Sequence, residues 1–104
     1  MDLSIVISSY NEIESLPELI SWIHRSLKAS EYLHNATYEI ILVDDGSTDG
    51  SWEWIRKASQ TDPTLHGIRF RRNYGKSPAL YCGFERAKGD VVITMDADLQ
   101  DSPD

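Results

Sequence analysis

The sequence is poor in several residue types and patterns, and each shortage excludes a class of protein. The single cysteine, Cys82, cannot form an internal disulfide, which fits a reducing compartment. No apolar run approaches the roughly 20 residues that span a bilayer, and the acidic N-terminus does not predict a signal peptide. A net charge of −7 argues against a nucleic-acid partner, since proteins that bind the phosphate backbone carry a basic face. We therefore expect a cytoplasmic protein that does not bind nucleic acid.

What the sequence does contain is an alternation of strand and helix patterns. Short runs rich in β-branched residues alternate with segments whose apolar residues recur at helical spacing. Strands are predicted at residues 3–8, 38–44, 65–70 and 91–95, and helices at 15–27, 47–59 and 77–87. The 104 residues, 40% of them hydrophobic, suffice for one domain. The alternation predicts an α/β protein with a Rossmann-like parallel sheet that helices cover on both faces.

The starts of the helices are predicted from capping residues. Ser15 and Glu18 have the spacing of a capping box at the first helix. Ser47 or Thr48 is the expected cap of the second helix, and the Ser-Pro pair at 77–78 is expected to open the third. The buried face of the third helix is predicted from helical spacing and comprises Leu80, Gly83, Phe84 and Ala87.

Polar clusters follow all four predicted strands. Their sequences are SYNE at 9–12, DDGSTD at 44–49, RRNYGK at 71–76 and DADLQD at 96–101. In parallel α/β sheets the carboxyl ends of the strands share one edge, and ligands bind beyond that edge. The clusters would therefore open on the same side of the sheet, which predicts a binding site there.

Asp96 and Asp98 are the candidates for a metal site in these clusters. Two carboxylates that leave a strand one residue apart repel each other unless a cation or hydrogen-bond donors compensate. Mg²⁺ and Mn²⁺ prefer carboxylate oxygens and keep coordination positions open for phosphate. An isolated D-x-D is more often a solvated acidic turn, and here the other three clusters favour the metal.

The remaining clusters leave alternatives open. One residue of the pair Asp44 and Asp45 is expected to form an Asx turn before the next helix, while the other is free to accept hydrogen bonds from a ligand. Residues 9–12 are either a platform for a ligand or a polar loop before a helix. The basic residues of 71–76, beside a helix N-terminus, either favour phosphate or balance the neighbouring aspartates.

Taken together, the segments IVISSYNE, ILVDDGSTDGS, RRNYGKSPAL and GDVVITMDADLQDSPD resemble the family 2 glycosyltransferases, in particular their polyprenyl-phosphate branch. The likeness covers nearly the whole chain, and the motifs stand in the family's order. The resemblance implies a partial GT-A fold in which residues 1–104 are the N-terminal, nucleotide-sugar-binding part of a glycosyltransferase domain, ending soon after the D-x-D motif. The implied reaction transfers a sugar from a nucleotide-diphosphate sugar to an acceptor, with a polyprenyl phosphate as the favoured acceptor.

The resemblance also implies roles for particular residues. Those implied for donor binding are Tyr10, Asn11, Glu12, Asp44, Asp45, Asp96, Ala97 and Asp98. The first three would approach the nucleoside, and Asp45, with Asp44 as a second candidate, would contact the base. Asp96 and Asp98, with Gln100 as a further candidate ligand, would hold Mg²⁺ or Mn²⁺ on the diphosphate. The metal would stabilise the nucleotide diphosphate as it leaves.

The chain departs from the family pattern in two places. Ser8 stands where many members have a proline two residues before the tyrosine, which bears on the base contacts. The chain also contains no recognisable acceptor-activating base, so we expect it to be inactive alone, and the full-length protein to work at the cytoplasmic face of a membrane. Unpaired strand edges would favour a homodimer through an exposed sheet edge.

Other protein classes with acidic strand ends fit less well. A response-regulator receiver domain has its acidic pair after the first strand, and dehalogenase-type phosphatases have their D-x-D there. A nucleotidyltransferase would more usually show a glycine-rich phosphate loop after that strand, where this chain has SYNE. The remaining alternative is a non-catalytic fragment that binds a nucleotide or only itself.

Overall fold

The computed structural model describes residues 1–97, which form one parallel sheet with three helices packed on it. The strands are β1 (Leu3–Ser9), β2 (Tyr38–Asp44), β3 (Leu65–Arg69) and β4 (Val91–Asp96). The helices are α1 (Leu16–Ala29), α2 (Ser51–Thr61) and α3 (Lys76–Arg86). The predicted α/β class and the predicted alternation of elements are confirmed.

The order of the strands determines where a ligand can enter. The sheet runs β3-β2-β1-β4, and every neighbouring pair is parallel. The chain therefore moves outward from β1 through β2 to β3 and then returns to the other side of β1. Such a reversal opens a crevice between the carboxyl ends of the two strands that flank it, here β1 and β4. Ser8 of β1 lies opposite Asp96 of β4 in the register, so Asp96 stands at this crevice.

Alternation along the central strands creates a core on each face of the sheet. Leu3, Ile5 and Ile7 of β1 face α1 and α2, and they belong to the larger core. Val6 belongs to a smaller core beneath α3. Gly83 allows this helix to approach closely, because a Cβ at that position would lie 2.2 Å from Cγ1 of Val6.

The predicted cover on both faces is wrong for β4 within residues 1–97. Val91, Val92 and Ile93 are 58%, 40% and 42% exposed, whereas β1 and β2 are almost wholly buried. The helices of the described part pack mainly on the three other strands, and Met95 of β4 reaches the larger core, while Val91, Val92 and Ile93 keep much of their apolar surface exposed. None of the helices in this part of the chain is long and apolar enough to cross a membrane.

The predicted capping box at α1 is wrong. Ser15 is the N-cap residue, but its hydroxyl makes no capping hydrogen bond in the described structure. The amides of Ser15 and Leu16 instead both donate to the carbonyl oxygen of Glu12, at 3.0 Å each. The Ser15 amide, which the Glu18 side chain of a capping box would accept, thus already has an acceptor in the turn before the helix.

The predicted start of α2 is also wrong, by four residues. α2 begins at Ser51, whose amide and hydroxyl donate to Oδ1 of Asp49 at 3.0 and 2.6 Å. Ser47 and Thr48 lie in the preceding loop, where they bond to Asn11. The Ser47 hydroxyl and the Thr48 amide therefore make contacts between loops in place of the predicted cap.

The predictions for α3 are close but not correct in detail. The helix begins at Lys76, one residue before the predicted Ser-Pro start. Gly83 is buried as predicted, together with Ala79, but Phe84 is 47% exposed. The helix covers one narrow stripe of the sheet, so small residues occupy its centre and larger ones lie at its margins.

Candidate functional site

Asn11 connects the loop that follows β1 with the loop that follows β2 at the carboxyl edge of the sheet. Its amide donates to Oγ of Ser47 at 2.8 Å, and its Oδ1 accepts from the amide of Thr48 at 2.8 Å. Asn11 has a φ of 54°, in the left-handed region that asparagine tolerates better than most residues. A third hydrogen bond, from the Ile13 amide to Oδ2 of Asp49 at 3.1 Å, joins the same loops. Asn11, expected to approach a nucleoside, thus has a structural role in positioning the loop of Tyr10 and Glu12.

Tyr10 and Glu12 lie on either side of Asn11. Tyr10 is 46% exposed, and it lines a pocket at the carboxyl edge of the sheet. Glu12 is half-buried, and its carbonyl oxygen accepts the two amides that precede α1. An exposed aromatic ring at the mouth of a crevice is suited to stacking against a flat ligand.

Asp45 clamps the loop before α3 to the end of β2. It is 4% exposed. Oδ1 accepts from the Tyr74 amide at 2.8 Å, and Oδ2 accepts from the Gly75 amide at 2.9 Å and from Nδ2 of Asn73 at 3.1 Å. Asp45 was the first candidate for a base contact, but its carboxylate is already matched by three donors of the protein.

Asp44, the neighbouring residue, has the opposite character. Its side chain is completely buried, and within residues 1–97 no hydrogen bond of normal geometry reaches either carboxylate oxygen. Burial raises the pKa of Asp44, although the nearby Ser47 and the positive charge of Arg69 partly offset this effect. Buried polar groups nearly always have partners, so this carboxylate is a candidate to bind a ligand.

The residues that flank Asp44 extend this acceptor site. Ser9 of β1 and Arg69 of β3 lie opposite Asp44 in the register, so all three share the face of the sheet that α2 covers. Oγ of Ser9 is also buried, with no hydrogen-bond partner in the part of the chain that the structure describes. The Arg69 guanidinium lies 5.7 Å from the centre of the Trp52 ring. The site thus combines a carboxylate, a hydroxyl and a nearby cation.

A pocket of about 270 Å³ opens at the carboxyl ends of β1 and β2, where Ser9 of this group lines it and Asp44 and Arg69 do not. Its lining residues come from the ends of β1 and β2 and from the start of α3, namely Ser8, Ser9, Tyr10, Asp45, Asn73, Gly75 and Lys76. Three of the four predicted clusters therefore meet at one cavity. The fourth is represented by Asp96, whose Oδ1 lies 2.5 Å from Nζ of Lys76.

The described part of the proposed metal site consists of Asp96. Ala97 is buried behind it, while Asp98 and Gln100 lie outside the described residues. Within residues 1–97 no group of three His, Cys, Asp or Glu side chains is placed to hold a metal. The carboxylate of Asp96 is 51% exposed and offers the hard oxygen donors that Mg²⁺ and Mn²⁺ prefer, so it fits one position of such a site.

Sequence reasoning included Ser9 in the cluster of residues 9–12 without a role of its own, and it did not select Arg69. Each would have been found by aligning the strand ends, since both are register partners of Asp44. The sequence predicts β1, β2 and β3 but not which strands pair. That Ser9 and Arg69 lie beside Asp44 can therefore be inferred only after the order of the strands is known.

Comparison with known proteins agrees with this architecture. The family model described as glycosyl transferase family 2 matches residues 4–104. The chain belongs to this family. Undecaprenyl-phosphate 4-deoxy-4-formamido-L-arabinose transferases of Aeromonas hydrophila and Salmonella choleraesuis are each 50% identical to it over 103 residues, which is 98% of this chain. The chain spans 30% of the length of these curated relatives. The predicted membership of family 2 is thus confirmed.

Solved structures of other glycosyltransferases share the fold of this family 2 chain. A mannosyltransferase from Pyrobaculum calidifontis, in complex with GDP-Man and Mn²⁺, is 26% identical with a TM-score of 0.77 and is matched over 92% of this chain and 27% of that one. S. aureus TarS 1–349, in complex with UDP-GlcNAc, has a TM-score of 0.77 at 22% identity, over 94% of this chain and 27% of that one. The second likeness shows the fold alone.

Proposed function

We propose that this chain binds the nucleotide-diphosphate sugar of a glycosyltransferase whose acceptor is a polyprenyl phosphate. The observation that carries the proposal is the open pocket at the strand ends, lined by Ser9, whose register partner Asp44 has a buried carboxylate without a hydrogen bond of normal geometry in residues 1–97. The class of acceptor is supported by the relatives named undecaprenyl-phosphate transferases, at 50% identity over 98% of the chain. The donor class is supported by the mannosyltransferase bound to GDP-Man.

In this proposal Asp44 makes the contact with the base. A nucleobase that presents an N–H group would give the Asp44 carboxylate the hydrogen bond it lacks, and Ser9 supplies a second polar atom on the same face. Asp45 already accepts three hydrogen bonds from the loop of residues 73–75, which leaves it about one acceptor position for a ligand. We therefore propose Asp44 as the first candidate for the base contact, while Asp45, which lines the pocket, stays a second candidate and holds the loop of residues 73–75.

The diphosphate of the donor is proposed to lie towards Asp96. Asp96 and Asp98, with Gln100 as a further ligand, would hold Mg²⁺ or Mn²⁺, and the bound ion would supply Lewis-acid stabilisation of the leaving diphosphate. Lys76 lines the pocket and lies beside Asp96, so it brings positive charge to the same end of the crevice. Tyr10 stands at the mouth of the pocket, where its ring can pack against the nucleoside.

We propose that residues 1–104 do not turn over alone, because no acceptor-activating base is recognised in the sequence. The complete protein would act at the cytoplasmic face of a membrane, where a polyprenyl phosphate is accessible. The alternative is a non-catalytic fragment that binds a nucleotide or associates with itself. The exposed apolar side chains of β4 favour self-association, with a homodimer through this edge as the specific form. Light scattering that finds only monomer at high protein concentration would contradict it.

Calorimetric titration with UDP and GDP tests donor binding, with Mn²⁺ present and again with EDTA. We expect one of the two nucleotides to bind in a metal-dependent way, because base and diphosphate contacts are both required. The Asp96→Ala/Asp98→Ala variant should lose the metal dependence, and Asp44→Asn should lose affinity for the base. Asp90→Asn is the matched control, since this exposed aspartate lies at the amino end of β4. A folded wild-type chain that binds neither nucleotide contradicts the proposal.

A further inference from the structure

Lys76 and Asp96 form an ion pair at the mouth of the crevice. Nζ of the lysine lies 2.5 Å from Oδ1 of the aspartate, and the two side chains are 58% and 51% exposed. Ion pairs with this exposure are weak, because water competes for both charges. The pair can therefore open at little cost, and each partner can exchange the other for a different ion.

The backbone of Lys76 is placed firmly although its side chain is exposed. It is the first residue of α3, directly after Gly75, which has a φ of 108° that favours glycine. The Asp45 carboxylate holds the amides of Tyr74 and Gly75 on the preceding residues. A lysine stem of four carbons anchored here can bring its ammonium either to Asp96 or into the pocket that Lys76 lines.

We propose that Lys76 is an exchangeable counter-ion that occupies Asp96 in the absence of metal and moves onto the donor's diphosphate when a divalent cation binds. This inference rests on the proposed function. A divalent ion on Asp96 repels the ammonium group, while the anionic diphosphate attracts it, so both changes favour the same displacement. Lys76 thereby links the metal and the nucleotide: it competes with the first and binds the second. Lys76 is thus a residue that selects for diphosphate and that becomes available when the metal displaces it from Asp96.

The inference predicts opposite effects of Lys76→Met on two affinities. Without nucleotide, Mn²⁺ should bind the variant more tightly, by up to about fivefold. The Lys76 ammonium no longer competes for Asp96, and a surface ion pair contributes at most about 1 kcal/mol. With saturating Mn²⁺, the nucleoside diphosphate should bind about tenfold more weakly, because a charge-assisted contact to phosphate is lost. The corresponding monophosphate should be affected much less, since it lacks the second phosphate.

The experiment measures free Mn²⁺ by electron paramagnetic resonance and nucleotide binding by calorimetry, using UDP or GDP, whichever the wild-type chain prefers, together with its monophosphate. Lys57→Met is the matched control, since it removes the same charge from an exposed position within α2. Lys76→Arg should restore much of the diphosphate affinity because it keeps the positive charge. Circular dichroism before titration verifies that each variant is folded.

The outcomes separate this inference from the function on which it rests. If Lys76→Met weakens diphosphate binding but leaves Mn²⁺ affinity unchanged or lower, Lys76 is only a phosphate ligand and the exchange is refuted. Unchanged affinities in both titrations also refute it, while leaving metal-dependent donor binding by the wild type intact. A wild-type chain that binds neither UDP nor GDP overturns the proposed function and this inference with it.

Discussion

Replacing Asp44 with asparagine is expected to stabilise the protein while abolishing its affinity for the donor. A buried polar group without a partner costs about 1–3 kcal/mol, and more when it is charged. The substitution keeps the size of the side chain and removes its charge. Asp44 is the last residue of its strand, with Ser47 and Arg69 nearby, so we take the lower part of this range. The free energy of unfolding should rise by about 1–2 kcal/mol at pH 7.

The gain should depend on pH in a defined direction. The raised pKa of Asp44 means that the folded protein keeps this proton at pH values where the unfolded chain, with an ordinary pKa of 3.8, has released it. The contribution of Asp44 to stability therefore falls as the pH rises from about 3.8 through the folded pKa, and the penalty is complete above that. The advantage of Asp44→Asn should grow as the pH rises through the folded pKa of Asp44 and should vanish below pH 3.8.

Urea denaturation of both proteins, followed by circular dichroism across this pH range, measures the difference. In a domain of about this size, 1 kcal/mol corresponds to a shift of roughly 4–8 °C in Tm, so thermal melts give a second measurement. Asp45→Asn is the matched control, because the same change one residue later replaces one of the two oxygens that three donors share with an NH₂ group. It should destabilise by about 2–4 kcal/mol. An Asp44→Asn variant less stable than wild type at pH 7 would refute the reasoning about the unpaired carboxylate.

Two further substitutions test the frame that supports the site. Gly83→Ala should destabilise the protein by about 1–3 kcal/mol, because the new methyl group would lie 2.2 Å from Cγ1 of Val6; in urea denaturation, adding Val6→Ala should recover part of the loss. Glu39→Gln should destabilise by about 1–2 kcal/mol at pH 7. Burial alone would raise the pKa of Glu39, but hydrogen bonds from Ser4 and the Lys88 amide lower it below its ordinary value of 4.5. The contribution of Glu39 to stability is therefore lost as the pH falls below 4.5. The stabilities of wild type and Glu39→Gln should converge there in the same assay.

The fold could be predicted because local and long-range signals agree in the strands. Buried parallel strands require short apolar runs, and β1 and β2 show them without interruption. The amphipathic pattern of α1 likewise matches its buried residues, which include Leu16, Ile20 and Ile23. Where only local preference was available, at the helix starts, the predictions failed because side chains of Ser47 and Asn11 were engaged in contacts between loops.

The location of the site could also be predicted, but the roles within it could not. Polar clusters after successive strands must meet at one edge of a parallel sheet, and they do. Asp44 and Asp45, however, are the same residue type at adjacent positions, and alternation sends their side chains to opposite faces. Which face presents three donors and which presents none depends on the arrangement of α3 and the loop before it. That information is absent from the spacing of the residues.

Asp44, Asp45 and Asp96 differ in how completely the protein satisfies their carboxylates, and this difference separates scaffold from ligand groups. The Asp45 carboxylate accepts from three donors, that of Asp96 has one exposed cation beside it, and that of Asp44 has no hydrogen bond of normal geometry within residues 1–97. Removing the charge of Asp96 should therefore change stability by no more than about 1 kcal/mol. The expected order of unfolding free energies without ligand is Asp44→Asn above wild type, Asp96→Asn close to it and Asp45→Asn below it. Saturating metal and nucleotide should add stability to wild type by mass action but not to Asp44→Asn, because only a protein that still binds the ligand gains from its presence.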